Sequence, residues 1–234
     1  LGTVLSYMRE NGVRPYDETT GKGLVRHVYV RVNRKGESLC CVVINGRQAP
    51  REPELAAYVC ATVPHTAGVL VNSNTKRGNV ILGEKYRTLW GRDYLMDTLC
   101  GLEFKLSVPS FYQVNRDQAE ALYGKALDYA GLTGRETVLD LYCGIGTITL
   151  CLAKRAGRVI GAEIVPAAIR DAKENAARNH IENAEFFCGD AAETAARLEA
   201  EGLRPDVITV DPPRKGLAPE VIGSIAAMGP ERVV

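Results

Sequence analysis

Apolar and polar positions follow two different rhythms along this 234-residue chain, and the rhythm changes near residue 108. In the first stretch, Leu24–Asn33 (LVRHVYVRVN) alternates, which is the period of a half-buried strand. After the turn Arg34-Lys35-Gly36-Glu37 the run Ser38–Asn45 (SLCCVVIN) returns as its hairpin partner. Arg51–Ala61 has helical spacing through Leu55, Ala56, Tyr58 and Val59, with Pro53 admissible in its first turn. Gly68–Ser73, Val80–Leu82, Tyr86–Trp90, Tyr94–Thr98 and Leu102–Leu106 then read as short strands separated by Asn, Gly and Asp turns. Residues 1–108 are expected to form a small α+β domain with a largely antiparallel sheet.

Ser107–Ser110, with Pro109, breaks this pattern, and Arg116–Ala130 resumes as an amphipathic helix stopped by Gly131. From there strands and helices alternate. The strands are Val138–Leu141, Val159–Glu163, Glu185–Cys188 and Val207–Val210; the helices are Ile145–Arg155, Pro166–Asn179, Ala191–Glu201 and Pro219–Met228. Such alternation predicts a parallel sheet with helices on both faces, an α/β domain over residues 109–234. Four strands and the stub Arg232–Val234 are few for a sheet of this type. A start on Leu1 and an apolar end at Val233-Val234 lead us to expect a fragment with a C-terminally incomplete sheet.

Composition changes this picture little. At 46% hydrophobic residues the chain can bury a real core, and it shows no repeat or low-complexity linker. The net charge of +1 hides an asymmetry: residues 1–115 carry +5 and residues 116–234 carry −4. A basic front half suits a polyanion, although the same excess is also compatible with an ordinary solvated face. The seven cysteines form no C-x-x-C pair and no Cys/His cluster, so no metal site is expected. Their habit of sitting in apolar runs, together with the lack of a membrane-length apolar stretch or cleavable signal, points to a cytoplasmic protein.

The candidate chemistry begins at Val138–Leu150 (VLDLYCGIGTITL), an apolar strand, an acid and two glycines opening a helix. Gly144 and Gly146 allow a sharp turn and close approach of a ligand, and Glu163, seventeen residues beyond Gly146, stands where such folds hold ribose hydroxyls. An adenosine-containing ligand follows. A dinucleotide usually asks for a third glycine three residues after the second, where this chain has Thr149. S-adenosylmethionine, with a sulfonium and no phosphate, fits better among Asp140, Glu163, Asp190 and Asp211, all expected at or just past strand ends; a nicotinamide dinucleotide is the alternative.

Asp211-Pro212-Pro213-Arg214-Lys215-Gly216 follows the strand Val207–Val210, so that stiff prolines aim an acid at a planar substrate. Amino-group methyltransferases usually carry an aromatic residue at the fourth position; Arg214 instead suits a phosphate or a carbonyl oxygen. Phe111-Tyr112-Gln113-Val114-Asn115 precedes the helix at 116, with Asn115 as its expected cap and the Gln113 amide free to face a ligand.

With FYQVN, DLYCGIG and DPPRKG in this order, and with GLVRHVYVR at Gly23–Arg31 and the ILGEKY region, the chain resembles the RNA 5-methyluridine methyltransferases of bacterial transfer and ribosomal RNA. The front half looks more like the 23S ribosomal RNA members. The resemblance implies a Rossmann-like methyltransferase domain that binds S-adenosylmethionine through Gln113, Tyr142, Gly144 and Glu163, with Asp211 between cofactor and base and Asp190 near the adenine. Arg26, Arg31 and Lys76 become candidates for phosphate contacts, with the target uridine flipped into a cleft between the domains. In that family a cysteine thiolate adds to uracil carbon 6, carbon 5 attacks the sulfonium methyl, and a carboxylate removes the carbon-5 proton. The family's S-C-N-P nucleophile, its glutamate base and its N-terminal RNA-binding barrel are absent from residues 1–234, and Cys143 is expected to be packing. The fragment is therefore expected to be inactive. Methylation of a nitrogen, or a non-catalytic ligand- or RNA-binding module, are the competing readings.

Overall fold

The computed structural model describes residues 1–234 as two compact units, Leu1–Asp97 with Leu106–Pro109, and Thr98–Lys105 with Ser110–Val234. The first contains a four-stranded sheet in the order β1-β2-β3-β4: β1 (Val25–Val32), β2 (Ser38–Ile44), β3 (Thr66–Ser73) and β4 (Lys85–Gly91). Its outer pairs are antiparallel, whereas β2 and β3 run parallel because α2 (Glu52–Thr62) carries the chain back between them. Every residue of β2 is buried, as its unbroken apolar run requires of a strand covered on both faces.

A helix not read from the sequence, α1 (Gly2–Glu10), buries Val4, Tyr7 and Met8 in the same core as Leu55 and Val59 of α2. Three core-facing residues over a turn and a half are too few to stand out, and the tertiary core supplies what local propensity does not.

The run Val80–Leu82, expected as a strand, is not one. Its apolar β-branched pair imitates strand composition, but the backbone there is served by side chains instead of a ladder. The buried Asn74 amide donates to the carbonyls of Val80 (2.6 Å) and Ile81 (3.1 Å). The buried Asn72 amide donates to Gly83 (2.9 Å) and Lys85 (3.2 Å), while its oxygen accepts from Gly83 N at 2.7 Å.

β5 (Tyr94–Leu99) and β6 (Leu102–Ser107) form a separate hairpin whose base belongs to the first unit and whose tip belongs to the second. Cys100 and Gly101 both have positive φ, the signature of a type I′ turn.

The second unit opens with α3 (Arg116–Ala130), capped by Asn115, whose side chain accepts from Gln118 N, and closed by left-handed Gly131. A five-stranded parallel sheet follows in the order β11-β10-β7-β8-β9, built from β7 (Thr137–Leu141), β8 (Arg158–Glu163), β9 (Ala184–Cys188), β10 (Val207–Val210) and β11 (Arg232–Val233). The connecting helices are α4 (Thr147–Ala153), α5 (Pro166–Arg178), α6 (Ala191–Ala200) and α7 (Pro219–Met228). Leu139, Leu141, Ile160 and Ile208 form one buried core with residues of α6 and α7, and Val138, Val159 and Val207 form another with Leu152 of α4 and Ala130 of α3. This is the Rossmann-like α/β architecture expected, preceded by the α+β region. No helix is long and apolar enough to cross a membrane.

Candidate cofactor site

The sheet order decides what can meet at the rim. β10 pairs with β7 (Val210 beside Leu141), β7 with β8 (Leu141 beside Ala162), and β8 with β9 (Glu163 beside Cys188). The carboxyl ends of four strands are therefore neighbours, and Asp211, the Tyr142–Gly146 turn, Glu163 and Asp190 leave the sheet side by side. In open α/β sheets this edge is where ligands bind.

Within the turn, Tyr142 has φ 71°, a left-handed conformation that is costly for an aromatic residue, and Gly144 and Gly146 have φ 56° and 84°. The strained loop is held by its surroundings. Cys143 N donates to Ala162 O at 2.9 Å, Gly146 N donates to Cys143 O at 2.9 Å, and Gly144 N donates to Oε2 of Glu163 at 3.2 Å. The other oxygen of Glu163, Oε1, accepts from Val165 N at 2.9 Å, so the carboxylate is fixed from two sides while remaining half-buried. A side chain at Gly144 would meet no atom within 4 Å, which leaves that face of the turn open to a ligand.

Gly146 plays a different part. A Cβ there would lie 3.3 Å from Ala172 Cβ and from the Phe186 ring, in a backbone conformation L-residues avoid. Gly146→Ala is expected to lower stability by about 1–2 kcal/mol, read as a fall of roughly 3–6 °C in thermal midpoint. An unchanged midpoint would show that the turn relaxes.

Asp140 departs from expectation. Read from the sequence as a rim acid, it lies inside β7 with 1% of its surface exposed. Thr149 Oγ1 donates to Oδ2, and Thr209 Oγ1 of β10 donates to Oδ1 at 3.0 Å. Burial pushes its carboxyl up to about 7 despite these two bonds, and the negative charges of Asp211 and Glu163 push in the same direction. Thr149, which in the motif merely stands in place of a third glycine, and Thr209 are thus parts of the site that motif reading passed over. Their hydroxyls hold Asp140, which lies under the turn.

The remaining candidates are placed as follows. Asp190 caps α6, its Oδ1 accepting from Ala192 N (2.8 Å) and Glu193 N (3.4 Å). Asp211 is exposed directly after β10. Gln113 is half-buried between Ser110, whose hydroxyl donates to Asp171 of α5 at 3.0 Å, and the helix cap Asn115; no hydrogen bond joins it to Glu163 or to the turn. Tyr123 of α3 is hydrogen-bonded to Thr147 at 3.0 Å, which ties α3 to the first residue of α4. Cys143 is buried, and burial pushes its thiol up, so it is protein-facing packing. No group of three or more His, Cys, Asp and Glu side chains is arranged to hold a metal ion.

Of the cationic candidates, Arg26 donates to the carbonyls of Asn74 (2.9 Å) and Lys76 (2.7 Å) and stacks over Tyr16, so it serves as an internal strut. Arg31 donates to the Tyr29 hydroxyl at 2.8 Å, and Lys76 pairs with Glu84 at 2.7 Å in an exposed bridge.

The strand-end turn, its bonded acid and the sheet order define a class. Residues 132–225 match the family described as a methyltransferase domain. Among known proteins, an uncharacterized RNA methyltransferase of Halalkalibacterium halodurans is 46% identical over 227 residues, covering 97% of this chain and 50% of the relative. Another, of Caldanaerobacter subterraneus subsp. tengcongensis, is 43% identical over 235 residues, covering 100% of this chain and 52% of the relative. The chain spans about half the length of these relatives. Among solved structures, the tRNA (uracil-54, C5)-methyltransferase of Pyrococcus abyssi in complex with S-adenosyl-L-homocysteine matches with a TM-score of 0.79 over 99% of this chain and 55% of that one. At 23% identity this is a likeness of fold.

Proposed function

We propose that this chain is the cofactor-binding part of an S-adenosylmethionine-dependent RNA methyltransferase that modifies carbon 5 of uridine, in 23S ribosomal RNA. The observation that carries the reading is the Gly144 turn, open on its outer face and bonded to Glu163, beside Asp211 just past the end of the neighbouring strand. Glu163 receives the ribose hydroxyls, Tyr142 and Gly144 line the cofactor, and Gln113 and Asp190 contribute from the flanking loops. Asp211, held by the following prolines, faces the target base. Support for RNA comes from the names of the relatives, and support for carbon 5 from the combination of FYQVN, DLYCGIG and DPPRKG. The LVRHVYVR hairpin favours ribosomal over transfer RNA.

The resembled chemistry needs a thiolate at the rim; Cys143, within the turn, is buried with its thiol pushed up, and the exposed Cys188 that ends β9 donates its thiol hydrogen to the Ile164 carbonyl at 3.7 Å. Residues 1–234 alone are expected to transfer no radiolabelled methyl group to unmodified 23S ribosomal RNA; turnover would place the nucleophile among the cysteines present. Deletion of the gene is expected to remove 5-methyluridine from 23S ribosomal RNA, read by nucleoside mass spectrometry. Its loss from transfer RNA would reassign the substrate, and loss of an N-methyl nucleoside would overturn carbon 5 as the target.

A further inference from the structure

We propose that the loop Asn74–Glu84 and the groove beside it are a docking site for single-stranded RNA, in which Val80 and Ile81 pack on exposed base faces and Arg47, Lys76 and Lys85 meet the phosphates. The proposal rests on the reading of RNA as substrate and adds a place on the first unit where it is held.

The loop is built unlike a connection. Two buried asparagines, Asn72 of β3 and Asn74 at the loop's own start, bond its backbone, and Arg26 bonds it from β1. A Cβ on Gly83 would stand 2.0 Å from the Ser73 carbonyl, so the loop closes against the strand more tightly than any other residue would permit. Yet this fixed frame presents Val80 and Ile81 to water, 66% and 49% exposed. Rigid presentation of two β-branched apolar side chains avoids the ordering cost of binding and suits a flat apolar partner such as a base face.

The charge at the base of the loop selects the partner. A cavity of about 960 Å³ lies where the two ends of the loop meet, lined by Arg47, Lys76, Lys85 and Arg87, with Glu84 its one acid. Arg87 is committed to a bidentate pair with the buried Glu52, 2.6 Å on each arm. Arg47 and Lys85 are exposed and hold no salt bridge, and Lys76 is joined only to the exposed Glu84. Apolar contact flanked by free cations is how proteins hold a single strand, through its bases and its backbone together.

The two kinds of contact separate experimentally. Binding of a fluorescein-labelled, uridine-containing single-stranded RNA is measured by anisotropy over a salt series. The double variant Arg47→Glu/Lys85→Glu is expected to bind about tenfold more weakly and to flatten the dependence of log K on log salt by roughly 1 to 1.5. The double variant Val80→Ser/Ile81→Ser is expected to lose roughly 3- to 10-fold with its salt slope unchanged. Both should keep the thermal midpoint and the S-adenosylhomocysteine binding heat of the parent. Parent-like RNA affinity in both variants overturns the docking site and leaves the RNA reading standing. A parent that binds S-adenosylhomocysteine but no RNA overturns that reading and the site with it. Equally tight binding of polyglutamate, lost in the charge variant, assigns the groove to an acidic protein and also overturns the proposal.

Discussion

Glu163→Ala is expected to weaken S-adenosylhomocysteine binding about 10- to 100-fold by calorimetric titration. A hydrogen bond to a charged group is worth about 1.5–3 kcal/mol, and each 1.4 kcal/mol is a factor of about ten. The carboxylate has two duties, since it accepts from Gly144 N and Val165 N as well as facing the rim. Glu163→Gln separates them. An amide oxygen can still accept from one backbone N–H, but it gives ribose hydroxyls a weaker acceptor, so an intermediate loss is expected if the acid touches the ligand. If Gln binds like the parent and Ala does not, the acid acts only by holding the turn; if Ala also binds like the parent, Glu163 has no part in the site.

The second large effect is on stability against pH, and it belongs to Asp140. Its carboxyl is raised from an ordinary 3.8 to about 7 by burial. Between those values the folded protein holds a proton that the unfolded chain has released, so stability falls as pH rises. The contribution is fully present below about 4 and is lost as pH climbs through about 7. Asp140→Asn removes this slope and can still exchange hydrogen bonds with Thr149 and Thr209. Carboxylates with lowered values, such as Glu52, act in the opposite direction in both proteins and cancel in the difference. Each tenfold change in proton affinity is worth about 1.4 kcal/mol. The variant should therefore gain on the order of 2–3 kcal/mol on the parent between pH 5 and pH 8, or roughly 5–10 °C in thermal midpoint. Parallel curves for the two proteins would show that Asp140 stays ionised.

Much of the second unit was legible from its rhythm. α3, β10 and α7 have the bounds the sequence suggests, because a capping Asn115, a run of four β-branched residues and the left-handed Gly229 after α7 are local signals. α4 is shorter than its apolar run, since Ile145 and Gly146 are drawn into the turn. What the sequence hides is burial supplied from afar. Nothing local shows that Asp140 is enclosed by hydroxyls nine and sixty-nine residues away. Nor does the Val80–Leu82 run reveal that Asn74, just past β3, bonds its carbonyls in place of a ladder. Arg26 looks like any surface cation until the loop carbonyls it serves are in view.

The β5–β6 hairpin sets a rule for dividing the molecule. The amide oxygens of Asn175 on α5 and Asn179 at its C-terminal cap accept from Lys105 N and Glu103 N, each at 2.8 Å, and Asn179 also donates to Glu103 O at 2.7 Å. A gene trimmed to begin at residue 110 would remove that strand edge and strand these amides, with Asn175 fully enclosed. Anyone wishing to express the second unit alone should retain the chain from Thr98 onward, because eight residues upstream of the obvious proline break belong to its hydrogen-bonded wall.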